Sequence, residues 1–372
     1  MINKSVTERQ AILILVCCVL ATKFQRLPSL MAERFGRDCW IILSIMLVVD
    51  ILFLLLILKF FEYSKGKNFY ELVEANMGKF TAKLFAIIFS VYYCFKALLS
   101  FKSTHEFFAN TLFDKLPWSY FSILLVVLLI FMTTKGLRSI GRSAELYIYL
   151  ILGSLVFAML LGFFSADFSR ILPILNNDFT KMLGEAVKYY LWFADYMFLL
   201  FLIGKVKKSG KFKRNIILTY VITGVFIIAF YLIFYCVNDN MSQYQINALT
   251  SITQHSLLGL GVGRPDWFLV LFVFIATIIS TGFFSWIICF SVSYLFGKEN
   301  NYIFSTIVII GIYVLDVFVF KNLRLIIDIS TNYVSYFTIA TNLIVPISLC
   351  IACVMKNKKR KKEKKSDDKV CA

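Results

Sequence analysis

The sequence predicts an all-α integral membrane protein of ten transmembrane helices arranged as five plus five. Its 372 residues are 59% apolar and 16% charged, with 39 phenylalanines, outside the range of a water-soluble domain. Ten stretches approach the about 20 mostly apolar residues that span the hydrocarbon of a bilayer. They are apolar around most of their circumference and lack period-two alternation, which favours a helical bundle over a barrel.

The first stretch, 7–36, is interrupted. Its apolar run 11–21 is too short to cross alone and is followed by Lys23, Arg26 and Pro28 before the chain resumes as LPSLMAERFG. Pro28 suits the first position of a new helix, where its missing N–H costs nothing, and Gly36 suits that helix's C-terminal end. A basic start before a short apolar run resembles a signal peptide, but Lys23 and Arg26 stand where small residues would mark cleavage, so the segment is expected to be retained.

The remaining spans are expected at 40–58, 83–101, 118–133, 142–164, 185–203, 215–237, 267–290, 302–320 and 333–355. Residues 1–355 form one permease-like unit, with repeats at about 7–164 and 185–355, followed by a basic tail over 356–372. The long connection 238–266, with Gly259, Gly261 and Gly263, is read as a loop by default and as a lid or docking surface otherwise.

The side shared by the termini and the even-numbered connections carries about twice as many Lys and Arg as the other, which places both termini in the cytoplasm. KVKKSGKFKR at 205–214 and KNKKRKKEKK at 356–365 dominate this bias. The net charge of +17 is thus mainly topological. The tail is suited to touch anionic membrane lipid, and no nucleic-acid partner is expected because the charge is spread over loops.

Most of the nine cysteines, Cys17, Cys18, Cys94, Cys289 and Cys350 among them, lie within spans and act as small apolar residues. Cys350 and Cys353 have CxxC spacing, for which a redox or metal role is the lesser reading. His105 and His255 are the only histidines, and no GxSxG, HExxH or Walker loop is present. No enzyme activity, cofactor or metal is expected.

Attention falls instead on polar groups at membrane depth, each costing about 2.5–3.5 kcal/mol to insert. Asp195, in KYYLWFADYMFLLFL, is too deep to reach an interface, so it faces either a ligand cavity or a hydrogen-bonding scaffold. Lys96 shares a helix face with Tyr93, Ser100 and Ser103, and snorkelling to the interface is preferred over lining a polar path. Asp50 is a candidate partner of Lys96 or Lys23. Glu145 follows Arg142 by three residues, as expected of an interfacial ion pair. Two hydroxyl and amide stripes, Thr277, Thr281 and Ser285, then Ser335, Thr338 and Asn342, suit helix association more than ligand binding.

Why would the first helix stop at Ala21? In transporters built on inverted repeats, the first helix of each half is discontinuous, so that freed N–H groups and a half-helix dipole meet a ligand at the midplane. Here the Asp195 segment opens the second half as the interrupted segment opens the first.

LPSLMAERFGRDCWI, GLRSIGRSAELYIYLI, FSRILPIL, WFADYMFLLFL, GRPDWF and the basic C-terminus, in this order and spacing, make the chain resemble the B-subunit permease family of endospore germinant receptors. The resemblance covers nearly all of 7–358. That family is related to amino acid/polyamine/organocation transporters.

The resemblance implies a LeuT-like fold, with interrupted first and sixth helices and a germinant site made by the first, third, sixth, eighth and tenth helices. Ala21, Thr22, Lys23, Phe24 and Gln25 would fall at the unwound segment and Asp195 on the acidic position of the sixth helix. Tyr93, Lys96, Thr281 and Asn342 complete the expected ligand-binding set. Pro28, Arg142 and Glu145, the last on an RxxE-like motif, are expected to be structural or gating.

One departure stands out. The family's unwound segment usually contains glycines, whereas ATKFQ has none, so Lys23 or Phe24 is expected to intrude on the pocket. The implied function is that of a germinant-sensing subunit in the spore inner membrane, binding a small polar molecule such as an amino acid and signalling to A-type and C-type subunits. The alternative is a secondary amino acid transporter of the bacterial cell membrane, coupled to protons or sodium.

Overall fold

The structure, a computed structural model, describes residues 6–64, 66–111, 118–175, 178–257, 266–297, 302–319 and 323–370. The glycine cluster 259–263 and the side chains of His105, His255 and the tail beyond 356 lie outside the described residues.

Strand β1 (Val6–Thr7) leads into α1 (Glu8–Ala21). Thr7 and Gln10 form a reciprocal capping box, and Glu8 lies favourably in the first turn. The helix ends at Ala21, the chain turns over 22–26, and α2 (Leu27–Phe35) starts with Pro28 in its first turn. Gly36, at φ +54°, closes α2 where a side chain would be strained. The sequence-predicted break is therefore present, with Pro28 at the second helical position rather than the first.

The chain continues through α3 (Cys39–Tyr63), α4 (Phe69–Met77), α5 (Lys79–Thr111), α6 (Trp118–Lys135), α7 (Leu137–Ser165) and α8 (Phe179–Ala186). Two 3₁₀ segments follow, Val187–Trp192 and Asp195–Leu202, separated by Phe193 and Ala194, the latter left-handed at φ +61°. Strand β2 (Val206–Lys207) pairs parallel with β1. The order then runs α9 (Phe212–Asn238), α10 (Ala248–Leu257), α11 (Asp266–Phe296), α12 (Tyr302–Val314), α13 (Leu323–Ile329) and α14 (Ser335–Val370). Single π-turns lie at Leu315–Val319 and Ser330–Val334.

Among the described residues, seven helical runs are long and apolar enough to cross a membrane, including Leu27–Tyr63, which joins α2 to α3. This is an integral membrane protein. Three expected spans do not reach that length: α1 has 14 residues, the paired 3₁₀ segments have 6 and 8, and the apolar part of α6 runs only over Ile123–Lys135. Breaking a crossing near its middle divides its hydrophobic length in two.

The centre is built from α1, α5, α11 and the 3₁₀ pair. In α11, 78% of the most apolar window is buried, against 22% for Tyr302–Val319, which places α11 inside and α12 at the periphery. Helix α11 packs on α5, α7 and α1, while α3 and α9 pack on one another and α14 covers Val187–Trp192. Segment 238–266 is not a plain loop in its described part, where a 3₁₀ turn, Asp239–Tyr244, packs on α2, and α10 packs on α7. The stripes behave as interhelical fasteners at Ser335, whose hydroxyl donates to the Lys188 carbonyl at 2.6 Å, and at Thr281.

The β1–β2 clip ties the start of α1 to the end of the 3₁₀ pair. Val6 N–H donates to the Lys205 carbonyl at 2.9 Å, and Glu8 accepts from Ser209 N–H and the Asn215 amide at 3.0 and 2.8 Å. Gly204, at φ +75°, makes the turn into this clip, and a Cβ there would stand 2.5 Å from the Lys67 carbonyl oxygen. Gly204→Ala should therefore destabilise the protein by about 1–3 kcal/mol. Thermal unfolding in detergent checks this, with Gly153→Ala, which meets nothing within 4 Å, as the neutral control.

The Lys205 amine lies 3.4 Å from the Phe290 ring centre and 4.3 Å from that of Trp286. Burial pulls this amine from 10.5 down to about 7, with Glu71 opposing. Between those values the unfolded chain binds a proton that the folded chain lacks, so stability contributed here rises with pH from about 7 and is lowest below it. Melting temperatures measured from pH 6 to 9 should rise more steeply in the parent than in Lys205→Met.

Candidate functional site

The two chain breaks meet on one carboxylate. Asp195, the first residue after the second break, is 1% exposed and receives both expected lysines. Lys23 reaches it from the first break through Oδ2, with a longer contact to the Val19 carbonyl at 3.4 Å. Lys96, from α5, donates to Oδ1 at 3.1 Å and to the Phe193 carbonyl at 3.1 Å. Lys96 therefore does not snorkel. Asp195 and a carbonyl freed by the break hold its ammonium more strongly than any interface it could reach only by emptying the core.

Asp50 does not pair with either lysine directly. Its carboxylate accepts from Tyr220 O–H at 2.7 Å and from Ala194 N–H at 3.3 Å, so it caps the second break from α3. Lys23, Lys96 and Asp195 remain within its electrostatic reach.

Of the first-break residues, Ala21 and Thr22 end α1, and Phe24 packs 4.4 Å from the Phe230 ring. Gln25 donates to the Thr277 hydroxyl at 2.9 Å, tying the break to α11. Thr281 shares a 2.7 Å hydrogen bond with Ser100. Tyr93 lies in an aromatic cluster with Phe198, Phe201 and Phe284. Asn342 is fully buried, and its amide approaches the Tyr92 hydroxyl without closing a well-formed hydrogen bond. Buried polar atoms in this condition are suited to a further polar group.

Arg142 is exposed and does not take the carboxylate of Glu145. Glu145 pairs instead with Arg9 at 3.3 Å and accepts from Gln10 at 3.1 Å. The sequence neighbour loses because α7 packs along α1, which brings two residues of another helix onto the same carboxylate.

A second buried ion pair escaped the sequence reading. Lys102, further along α5, meets Asp316 at 3.2 Å in the π-turn after α12, with side chains 2% and 0% exposed. The lone aspartate in YVLDVF was the signal for it. Cys350 and Cys353 are free thiols, and the described residues contain no cluster of three metal-ligating side chains.

A pocket of about 330 Å³ adjoins the ion cluster, lined by Lys23 and Asp50 among the aliphatic residues of α1, α3 and α9. A smaller one, about 200 Å³, lies beside Thr281 and Thr104.

A family model described as spore germination protein matches residues 5–324. The chain belongs to that family. It is 21% identical over 378 residues to spore germination protein KB of Bacillus subtilis (strain 168), covering 98% of each chain. It is also 22% identical over 199 residues to spore germination protein XB of Bacillus anthracis, a match spanning 54% of this chain and 56% of that relative. Among solved structures, a Na+-coupled sialic acid symporter in a substrate-bound outward-open state matches with a TM-score of 0.58 at 12% identity. It covers 92% of this chain and 77% of the symporter. This spore germination family member thus has a transporter-like, LeuT-like fold.

Two ammonium groups sharing one carboxylate make the cluster asymmetric to mutation. Asp195→Asn removes the anion from both lysines and should cost about 3–5 kcal/mol, whereas Lys23→Met leaves the Lys96–Asp195 pair intact and should cost clearly less. Melting temperatures of the two variants give the order directly, and an equal loss would mean that Lys23 holds Asp195 alone.

Proposed function

We propose that this protein is the germinant-sensing membrane subunit of a spore germination receptor. It binds a small polar germinant, an amino acid, where its two broken helices meet, and passes the resulting change of conformation to A-type and C-type partner subunits. The ion cluster of Lys23, Lys96 and Asp195 is the observation that carries this reading. It holds two ammonium groups against one carboxylate at the junction of the breaks, so a ligand carboxylate can take over one lysine. Ala21 to Gln25, Tyr93, Thr281 and Asn342 surround that exchange.

Ten crossings in two inverted sets of five, 7–164 and 185–355 within the unit 1–355, accommodate α1 with α2 and the 3₁₀ pair as the broken first and sixth members. Both termini and the basic tail then face the cytoplasm from the spore inner membrane. The Arg9–Glu145 pair and the β1–β2 clip act as the cytoplasmic gate that holds α1 in place.

A ligand shifts a conformational equilibrium only by its difference in affinity between the two states. Moving a lysine from Asp195 to a ligand supplies such a difference, because it loosens the Asp195–Leu202 segment from α1. The second reading, a secondary amino acid transporter, draws on the match to a sodium-coupled symporter fold. In that reading the Lys23 ammonium, held by a carboxylate and a helix-end carbonyl, already fills the role of a bound cation and favours proton coupling.

A thermal-shift screen of purified protein against amino acids, nucleosides and sugars should find a ligand that raises the melting temperature by about 3 °C or more. The same ligand should not shift Asp195→Asn, and no compound shifting the parent would sink the reading. Sustained uptake of the ligand into liposomes containing this chain alone would favour the transporter.

A further inference from the structure

We propose that the pocket between α1, α3 and α9 is a subsite for a small aliphatic α-amino acid, whose carboxylate meets Lys23 and whose ammonium meets Asp50. The inference rests on the function proposed above and names the ligand and its seat. It departs from the expected seat on the third, eighth and tenth helices, because this pocket is built on the second and seventh expected spans.

The chemistry of the walls selects the ligand. At about 330 Å³ the pocket lies at the small end of ligand sites, which run from about 300 to 1,000 Å³. Its polar lining comes from groups of opposite charge, Lys23 and Asp50, with Tyr220 donating to Asp50 from the side. The rest is Val19, Leu43, Leu47, Ile227 and Ile228, with Phe193 and Gly224. Opposite charges beside an aliphatic wall match a zwitterion carrying a short hydrocarbon side chain. A sugar or nucleoside would leave its hydroxyls unpaired against these aliphatic side chains.

Gly224 and Leu47 set the size limit. A Cβ on Gly224 would lie 2.3 Å from Leu47 Cδ1, so the absence of a side chain on α9 lets Leu47 lean into the seam. Leu47 is half-buried and stands where a rotamer change would widen the pocket for a branched side chain.

The subsite also supplies a trigger. Lys23 lines the pocket while bonded to Asp195, and Asp50 lines it while accepting from Ala194 N–H in the second break. A zwitterion seated there draws on both breaks at once, weakening the hold of Lys23 on Asp195 and of Asp50 on Ala194.

Calorimetry with L-valine on the full chain in nanodiscs tests this, with L-valinamide, which lacks the carboxylate, and isovalerate, which lacks the ammonium, as controls. Saturable binding of L-valine alone is expected. Leu47→Trp, which fills the seam, should abolish it, and Asp50→Asn should weaken it about tenfold or more, while Asn342→Leu should leave it within about twofold. Should Leu47→Trp fold poorly, the rate at which N-ethylmaleimide modifies Ile228→Cys, corrected for the parent, should fall when L-valine is present. L-valine binding that survives Leu47→Trp, or gives no protection of Ile228→Cys, overturns the subsite and leaves the proposed function standing. Binding of a sugar or nucleoside with no response to any amino acid overturns the subsite and its ligand class. No response to any compound of the wider screen overturns the function as well.

Discussion

Everything at the centre of this protein depends on the pairing of Asp195 with Lys23 and Lys96 inside a bundle that offers these side chains almost no water. An isolated charge there would be far too costly, so the lysines and the carboxylate must be brought together as the chain packs. This demand joins the first break, α5 and the second break at one point. The breaks need the cluster in turn, because each exposes backbone groups that must find partners. Phe193 carbonyl accepts from Lys96, Val19 carbonyl from Lys23, and Ala194 N–H finds Asp50.

Helix α5 carries this logic twice. Lys96 serves the central aspartate and Lys102 serves Asp316 in the π-turn after α12, so one helix anchors two irregular segments through buried amines. Between them, Ser100 joins Thr281 of α11. A helix with three such fasteners along one side behaves as the fixed frame against which broken segments move.

The missing glycines of the first break now have a physical account. Where small residues would leave room for a ligand to approach backbone, ATKFQ fills the space with its own side chains, Lys23 onto Asp195, Phe24 onto Phe230 and Gln25 onto Thr277. The chain thereby supplies internally the charge and aromatic surface that a ligand would otherwise bring. Recognition then becomes a contest between ligand and side chain.

The sequence by itself determined the membrane setting, the helical class, the interruption after Ala21 and the depth of Asp195, because apolar run length and proline placement act locally. The family resemblance was legible too, since the motifs kept their order. What only tertiary structure decided was pairing. Glu145 takes Arg9 rather than the nearby Arg142, Lys96 turns inward rather than to the interface, and Asp50 caps Ala194. Asp316 finds Lys102 more than two hundred residues away. A buried charge must pair with whatever packing brings beside it, and that identity is fixed by the contacts of helices distant in sequence, which no local pattern encodes.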